Sequence, residues 1–264
     1  MVDMFHRCPI QFQRRYGARF GIWPEEEIIP PSVAAGIGLS VHRSVEVNLK
    51  NKKSTKDLLP LEHVIQIARD EFESIWTAGM LLTDEEAARM EGTKGEAIDM
   101  SVALSRLHHG AVAPKIDPED VEERFVIQLD GYPFDMAGTI DVREKKTIRD
   151  TKTRGKRDPD EPLSLQMRMY SLGHKVLHGS TPEEVRVDVL LKLKNPAHEL
   201  YAAKPLPDSE WYAPLYRRIE SMMQVIDLVR RGLMDMPAAD PSAWCCTARY
   251  CGWARMCPAW SGRE

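Results

Sequence analysis

No run in these 264 residues approaches the roughly 20 apolar positions that a bilayer-spanning helix requires. The opening residues, MVDMFHRCPIQF, lack the apolar core of a secretory signal. Internal repeats and low-complexity tracts are also missing. There is no global excess of positive charge: the net charge is −4, so the overall field does not advertise a nucleic-acid binder. Basic residues cluster only locally, in RRYGAR (14–19) and TRGKR (153–157), and taken alone these read as solvated surface. Together these absences predict a cytoplasmic protein with no membrane partner. Cysteine is scarce, five residues in all, and the odd count leaves one over in any disulfide scheme. In a reducing compartment disulfides are rare and thiolates serve as metal ligands. A disulfide knot is therefore the poorest explanation of WCCTARYCGWARMCPAW (244–260), which holds four of the five.

What is present is ordinary globular material, 43% hydrophobic and 29% charged, with length enough for a substantial core. Helical spacing predicts a helix over about 35–50, followed by a charged loop, KNKKSTKD (50–57). Leu61, Val64, Ile65, Ala68, Phe72, Ile75 and Trp76 mark an amphipathic helix. TDEE (83–86) has the capping-box pattern, with Thr83 capping and Glu86 reaching back. A further helix is expected over 96–109, so 57–110 reads as a helical insertion. After Pro118 the pattern turns strand-like in VEERFVIQL, PFDMAGTIDV and KTIRDTKT, separated by DGYP and REK turn signals. A helix (SLQMRMYSLGHKVLH), two strands (EVRVDVLLKLK and HELYAAKPL) and a long helix over about 209–232 complete the order. Helices, three strands, helix, two strands and helix imply an α/β fold around one mixed sheet.

GTIDVREKKTIRDTKTRGK (138–156) carries a chemical signal. A hairpin closed around Glu144-Lys145 places Asp141 opposite Ile148 and Thr139 opposite Asp150. Asp141 and Asp150 are then diagonal neighbours on one face, roughly 7–8 Å apart at the backbone. Lys152, two residues on, shares that face. A slip of one residue would send the carboxylates to opposite faces. Two converging carboxylates suit Mg²⁺ or Mn²⁺, and a lysine beside the ion can orient a water or stabilise phosphate charge. The competing reading is a surface hairpin that its charges merely solvate.

Gly138, Asp141, Asp150 and Lys152, in GTID…DTK, resemble the active-site core of the PD-(D/E)XK nuclease superfamily. GIGLSVH (36–42) resembles the glycine-to-histidine motif of its RecB-like branch, and QMRMY (166–170) the branch's Q-x-x-x-Y motif. The resemblance implies a restriction-endonuclease-like mixed central sheet flanked by helices. It implies that His42, Asp141, Asp150 and the Thr151 carbonyl hold a divalent ion, Mg²⁺ or Mn²⁺. Lys152 would position or activate the attacking water, and Gln166 and Tyr170 would contact DNA or steady the lysine. Glu46 and either Glu122 or Glu123 are candidate outer groups. The third-motif acid is Asp150 where many members have Glu, a substitution the family accepts.

Four thiolates can hold zinc or an iron–sulfur cluster. The tail offers Cys246, Cys251 and Cys257, with Cys245 as a rival for the first place, and Cys8 alone can supply a fourth. An early CP followed by an aromatic-rich helix, together with a late cysteine triplet, resembles the [4Fe-4S] arrangement of some RecB-like nucleases. Those include AddB-type helicase–nuclease subunits, CRISPR-associated adaptation nucleases and phage recombination exonucleases. In such tails W-x-C is common, so Trp244 points to Cys246 as ligand and Cys245 as the spare. The gap from Cys246 to Cys251 is longer than in many relatives, and zinc on the same four thiols is the alternative. By resemblance the whole chain, 1–264, is one RecB-like nuclease domain with an insertion at 57–110. Its N-terminus and C-terminal Cys cluster would join as a clasp through residues 8 and 245–257. The implied activity is metal-dependent DNA exonuclease hydrolysis in recombination, repair or DNA processing of phage type, with a recombination or helicase partner. The alternatives are a CRISPR adaptation nuclease and an inactive DNA-binding module of the same fold.

Overall fold

The computed structural model describes every residue except 129–130, 132–134, 241, 244, 248–250 and 258–264. Trp244 and most of the DGYP turn therefore lie outside the described residues. The chain divides into two compact units. One comprises residues 33–80 and 89–212, and the other residues 1–32, 81–88 and 213–264.

The larger unit holds a mixed five-stranded sheet in the order β1-β2-β3-β4-β5. The strands are β1 (Asp120–Gln128), β2 (Asp135–Glu144), β3 (Thr147–Arg154), β4 (Glu184–Leu191) and β5 (Ala197–Ala203). Only β3 and β4 run parallel. The helix between them, α7 (Leu165–His178), is the crossover that parallel strands need. Ser164 caps α7 through a 3.3 Å bond from Met167 N, and Gly179 ends it at φ +77°. Burial of Ile140, Ile148, Val185, Val187, Val189 and Leu190 fixes the strands in the core.

Strands β2 and β3 meet across a two-residue turn, Lys145-Lys146, with Glu144 opposite Thr147 and Val142 opposite Arg149. The hairpin expected around Glu144-Lys145 is thus shifted by two positions. Because side chains alternate with a period of two, an even shift changes which residues oppose each other but not their face. Extended by one step, the observed register sets Asp141 directly across from Asp150, not diagonally.

The helices α3 (Val33–Thr55), α4 (Leu61–Ala78) and α6 (Met90–Leu107) form a bundle in the same unit. Helix α3 runs through Thr55, past the predicted loop start at Lys50. Nothing in KNKKST forbids a helix, and tertiary partners capture it. Lys52 Nζ donates to the carbonyls of Ala113 and Pro114 at 2.9 and 3.0 Å, and Lys53 pairs with Asp120 at 2.7 Å. Gly36 lets α3 approach α4: a Cβ there would lie 2.6 Å from Met80 Cε and 3.2 Å from Phe72 Cε2. Ser40 and Ser44 bond across to Ser101 and Ser105 of α6 at 2.9 and 2.8 Å. The helices of the predicted insertion therefore pack directly on the helix that carries His42.

The smaller unit holds α1 (Val2–Arg7), α2 (Pro9–Tyr16), α5 (Asp84–Ala88), α9 (Ala213–Arg230) and the cysteine tail. The capping box forms at α5, Glu86 N donating to Thr83 Oγ1 at 3.2 Å and Thr83 N to Glu86 Oε2 at 2.9 Å. The single helix expected over 209–232 is instead two, α8 (Asp208–Trp211) and α9, interrupted at Tyr212. Pro214 is the cause: its ring excludes the preceding turn and it has no N–H to donate.

Candidate metal centre and cysteine pocket

Two glycines set the geometry of the acidic strands. The Phe125 ring, 1% exposed, fills the space over both Gly138 of β2 and Gly173 of α7. A Cβ on Gly138 would lie 2.4 Å from Phe125 Cζ, and one on Gly173 would lie 2.5 Å from Phe125 Cγ. On the other side, Gly38 of α3 brings that helix against the end of β3, with 3.1 Å between its ideal Cβ and Thr153 Oγ1. His42 follows one helical turn later. Its Nε2 lies 3.0 Å from Asp141 Oδ2 and 3.4 Å from Glu122 Oε1.

Glu122 stands on β1 between the pairs Val121↔Val142 and Glu123↔Ile140, which sets it opposite Asp141. Its φ of +60° is left-handed, a conformation that non-glycine residues adopt only at a cost of order 1–3 kcal/mol. Glu122, Asp141 and Asp150 thus form a row across three adjacent strands. One ligand atom from each of His42, Glu122 and Asp141 falls within a 4.8 Å group. Asp150 stands outside that triple, with its Oδ2 2.9 Å from Lys152 Nζ. Lys152 Nζ also donates to Gln166 Oε1 at 2.6 Å, and Gln166 Nε2 donates to Tyr170 OH at 2.7 Å. Longer contacts of 3.5 Å run from Gln166 Nε2 to Asp150 Oδ1 and from Tyr170 OH to Asp141 Oδ1. Residues 166 and 170, four apart on α7, thereby link the lysine to both aspartates. Thr151 stands between Asp150 and Lys152, paired with Asp188 of β4.

The other acidic candidates are engaged elsewhere. Glu46 pairs with Arg43 at 2.9 Å and Lys50 at 2.6 Å along its own helix. Glu123 pairs with Arg143 at 3.0 Å and His178 at 3.1 Å. Glu122 was readable as acidic, but its membership of the triple needs a strand register and a backbone kink that no local sequence signal gives.

Electrostatics follow from burial of like charges. Burial pushes the Asp150 carboxyl up to about 7, and the neighbouring Asp141 charge adds to it against the pull of Lys152. Burial also opposes ionisation of Asp141, but the His42 hydrogen bond and charge overcome it and hold Asp141 below the usual carboxylate range. The bond to Asp141 raises His42 to about 9 despite burial. Burial raises Glu122 as well, with His42 working against it. Asp150 Oδ2, close to Lys152, receives no aligned hydrogen bond. A buried carboxylate oxygen whose one cationic neighbour, Lys152, is poorly aligned to it, beside an imidazole and two carboxylates, fits a hard or borderline divalent cation. Such an ion needs the imidazole neutral, so its binding would displace the His42 proton.

In the smaller unit Cys8, Cys246, Cys251 and Cys257 line one pocket with Ile10, Gln11, Trp253 and Ala254. The space that these side chains line, counted together with the adjoining open solvent, is about 340 Å³. Cys245 is not in the lining; it is buried, and its Sγ lies 3.9 Å from Arg7 O. Burial pushes the Cys246 thiol up to about 11, with Cys245 and Cys8 nearby adding to it. A bound cation would reverse that shift by stabilising thiolate. The donor set, four sulfurs and no carboxylate, fits either zinc or an iron–sulfur cluster. Cys8 is held by α2, where Arg14 forks onto Glu27 at 3.0 and 2.9 Å, and Trp23 donates to the same carboxylate at 3.0 Å.

A model of the PD-(D/E)XK nuclease superfamily matches residues 2–258, nearly the whole chain. The chain belongs to this superfamily. Among solved structures, this nuclease is similar to a protein of Eubacterium rectale provisionally assigned as an exonuclease. The likeness has 14% identity and a TM-score of 0.50, over 90% of this chain and 80% of that one. At that identity it supports the fold. A second structure, of the protein SSO0001, covers 95% of this chain and 96% of its own at 15% identity, but its TM-score of 0.35 is too low to bear on the fold. No curated protein matches. No described helix of the nuclease is long and apolar enough to cross a membrane.

Proposed function

We propose that this nuclease is a divalent-metal-dependent DNA exonuclease of the RecB-like branch, acting in recombination, repair or DNA processing. The observation that carries the reading is Lys152, held by Asp150 on one side and Gln166 on the other, beside the His42–Asp141–Glu122 group. His42, Asp141, Glu122 and Asp150, with the Thr151 carbonyl, are the residues that would hold Mg²⁺ or Mn²⁺. When bound, such an ion supplies Lewis-acid stabilisation of phosphate charge and acidifies a water. The chain's own groups do the positioning. Gln166 accepts from Lys152 and so fixes one of its three donor directions, which leaves the ammonium to orient a water or stabilise charge on the phosphate. Tyr170, with its phenol pushed upward by burial, stays a neutral donor at neutral pH and steadies Gln166 and Asp141.

The cysteine pocket is the site of a structural [4Fe-4S] cluster in this reading, with Cys8, Cys246, Cys251 and Cys257 as ligands. Support comes from the four thiols lining one pocket that leaves Cys245 out. A brown protein with iron and acid-labile sulfide sustains this assignment, whereas a colourless one with stoichiometric zinc replaces it.

Degradation of end-labelled linear DNA with Mn²⁺ or Mg²⁺ tests the activity, comparing wild type with Asp150→Ala and Lys152→Ala. The lysine substitution should lower kcat by about 10²-fold or more. Activity that survives both changes removes the assigned site. Circular DNA and DNA blocked at either end separate exonuclease from endonuclease and give the polarity.

A further inference from the structure

The first turn of α2 carries a buried amide that neither helix capping nor the proposed nuclease chemistry uses. Cys8 is the N-cap of α2 and Gln11 stands three residues later, the spacing of a capping box. In that motif the glutamine side chain reaches back to the N-cap N–H. Here Cys8 N already donates to Met4 O at 2.9 Å, and α2 has no side-chain cap. Gln11 is thereby released from the usual local partner. It lines the cysteine pocket instead, and the residue is only 4% exposed.

The two ends of the amide are told apart by their partners. Arg7 Nη2 donates to Gln11 Oε1 at 3.5 Å, so the carbonyl end faces the guanidinium and the NH₂ end is left for an acceptor. Among the side chains that line the pocket only the cysteines can accept, since Ile10 and Ala254 are apolar and an indole only donates. Gln11 hydrogen-bonds Cys251, whose sulfur also receives the Trp253 backbone N–H, and both bonds work against the burial that raises this thiol. Cys246 has no such help: burial and the neighbouring Cys245 and Cys8 push it up. Burying an amide costs free energy unless its ends are bonded, and an apolar side chain would fill the space without that demand.

We propose that Gln11 donates a hydrogen bond to the Cys251 ligand of the iron–sulfur cluster and so raises the cluster's reduction potential. This rests on the [4Fe-4S] reading above. The couple is one-electron: reduction adds one negative charge, shared by the cluster and its thiolates, and no bond to the protein forms or breaks. An N–H aimed at a ligand sulfur stabilises the more negative state more, which is how hydrogen bonds to sulfur tune such centres. Arg7 is a positioning residue: it holds the carbonyl end, so that the donor end stays on the sulfur.

The test is a reductive titration of the iron-loaded protein with dithionite and redox mediators, followed by electron paramagnetic resonance, for wild type, Gln11→Leu and Gln11→Glu. Iron and sulfide content per chain check that each holds the cluster. In Gln11→Leu the ratio of reduced to oxidised cluster at a fixed potential should fall about tenfold, a lowering of about 59 mV for one electron. Gln11→Glu keeps the shape and the Arg7 contact but exchanges the donor for a carboxylate, so it should fall at least as far. A residue that only filled space or anchored Arg7 would leave Gln11→Glu at the wild-type potential. That result overturns the proposal while the cluster reading stands. Wild type supplies a second measurement that does not depend on either variant keeping its cluster. Made with glutamine carrying ¹⁵N in the side chain, the reduced protein should show a ¹⁵N coupling in pulsed resonance. The neighbouring Gln13 donates to Ile22 O at 3.0 Å instead. Absence of the coupling overturns the hydrogen bond. A colourless wild type with stoichiometric zinc overturns the cluster reading and this inference together.

Discussion

Gly138 of GTID should be intolerant of alanine for a steric reason, and Phe125 should control how intolerant. An added Cβ would stand 2.4, 2.9 and 3.1 Å from three atoms of the Phe125 ring. The ring cannot tip away towards α7, because the space over Gly173 is already used to 2.5 Å. Overpacking of a close-fitted core costs about 1–3 kcal/mol, and a ring clamped from both sides belongs at the upper end. Gly138→Ala should therefore cost about 2–3 kcal/mol in urea unfolding followed by circular dichroism. Replacing the ring by a smaller group frees the space. In a Phe125→Leu background the same alanine should cost less than about 1 kcal/mol, a coupling of order 1–2 kcal/mol between touching residues. If Gly138→Ala costs the same in both backgrounds, the glycine is required for something other than the ring, and this account of the motif fails.

Three further outcomes are expected. His108 is buried and held near 3 by burial, so it is neutral when folded and must protonate on unfolding in acid. Its contribution to stability is fully present above pH 6.5 and falls by up to about 1.4 kcal/mol per pH unit towards pH 3; urea midpoints of wild type should drop across that window more steeply than those of His108→Leu. Glu122→Gln should raise the Mn²⁺ concentration for half-maximal activity by about tenfold or more, measured by titrating the ion at fixed DNA; an unchanged value removes Glu122 from the metal site. Serine at Cys8 should abolish iron incorporation as completely as serine at Cys257, while Cys245→Ser keeps iron content and colour; loss of iron in Cys245→Ser shifts the ligand set by one residue.

The parts of this molecule visible in the sequence are those set by local chemistry. Element order followed from hydrophobic period and turn residues, and the capping box at Thr83 formed as its spacing predicted. The shared face of Asp141, Asp150 and Lys152 depended only on parity, so a register error of two left it intact. The errors arose where tertiary contacts overrode local signals. Helix α3 passes Lys50 because Lys52 and Lys53 find partners from residues 113–120. The break at Tyr212 was legible in Pro214, but the helical period on either side of it hid the signal. The buried Arg149–Asp188–His198 chain, with 2.7 Å on each side of Asp188, was out of reach altogether. It exists only because β3 and β4 pair in parallel across a crossover of about thirty residues, and no local pattern encodes that partner.

Under the metal-dependent reading proposed above, the charge state of the site accounts for Glu122 in a strained backbone. Three carboxylates, those of Glu122, Asp141 and Asp150, face two cations, Lys152 and protonated His42. One negative charge is left over, and the Asp141 charge adds to the burial that pushes the Asp150 carboxyl up to about 7. Removing Glu122 from the row would balance the site and relieve a left-handed residue, both of which stabilise the protein alone. A divalent ion changes that balance: with His42 neutral, its two charges and that of Lys152 offset all three carboxylates. The third acid is then necessary and no longer a liability. An arrangement costly without an ion and neutral with one is what the metal-dependent reading proposed above requires, and under that reading the strain at Glu122 serves metal binding and not folding.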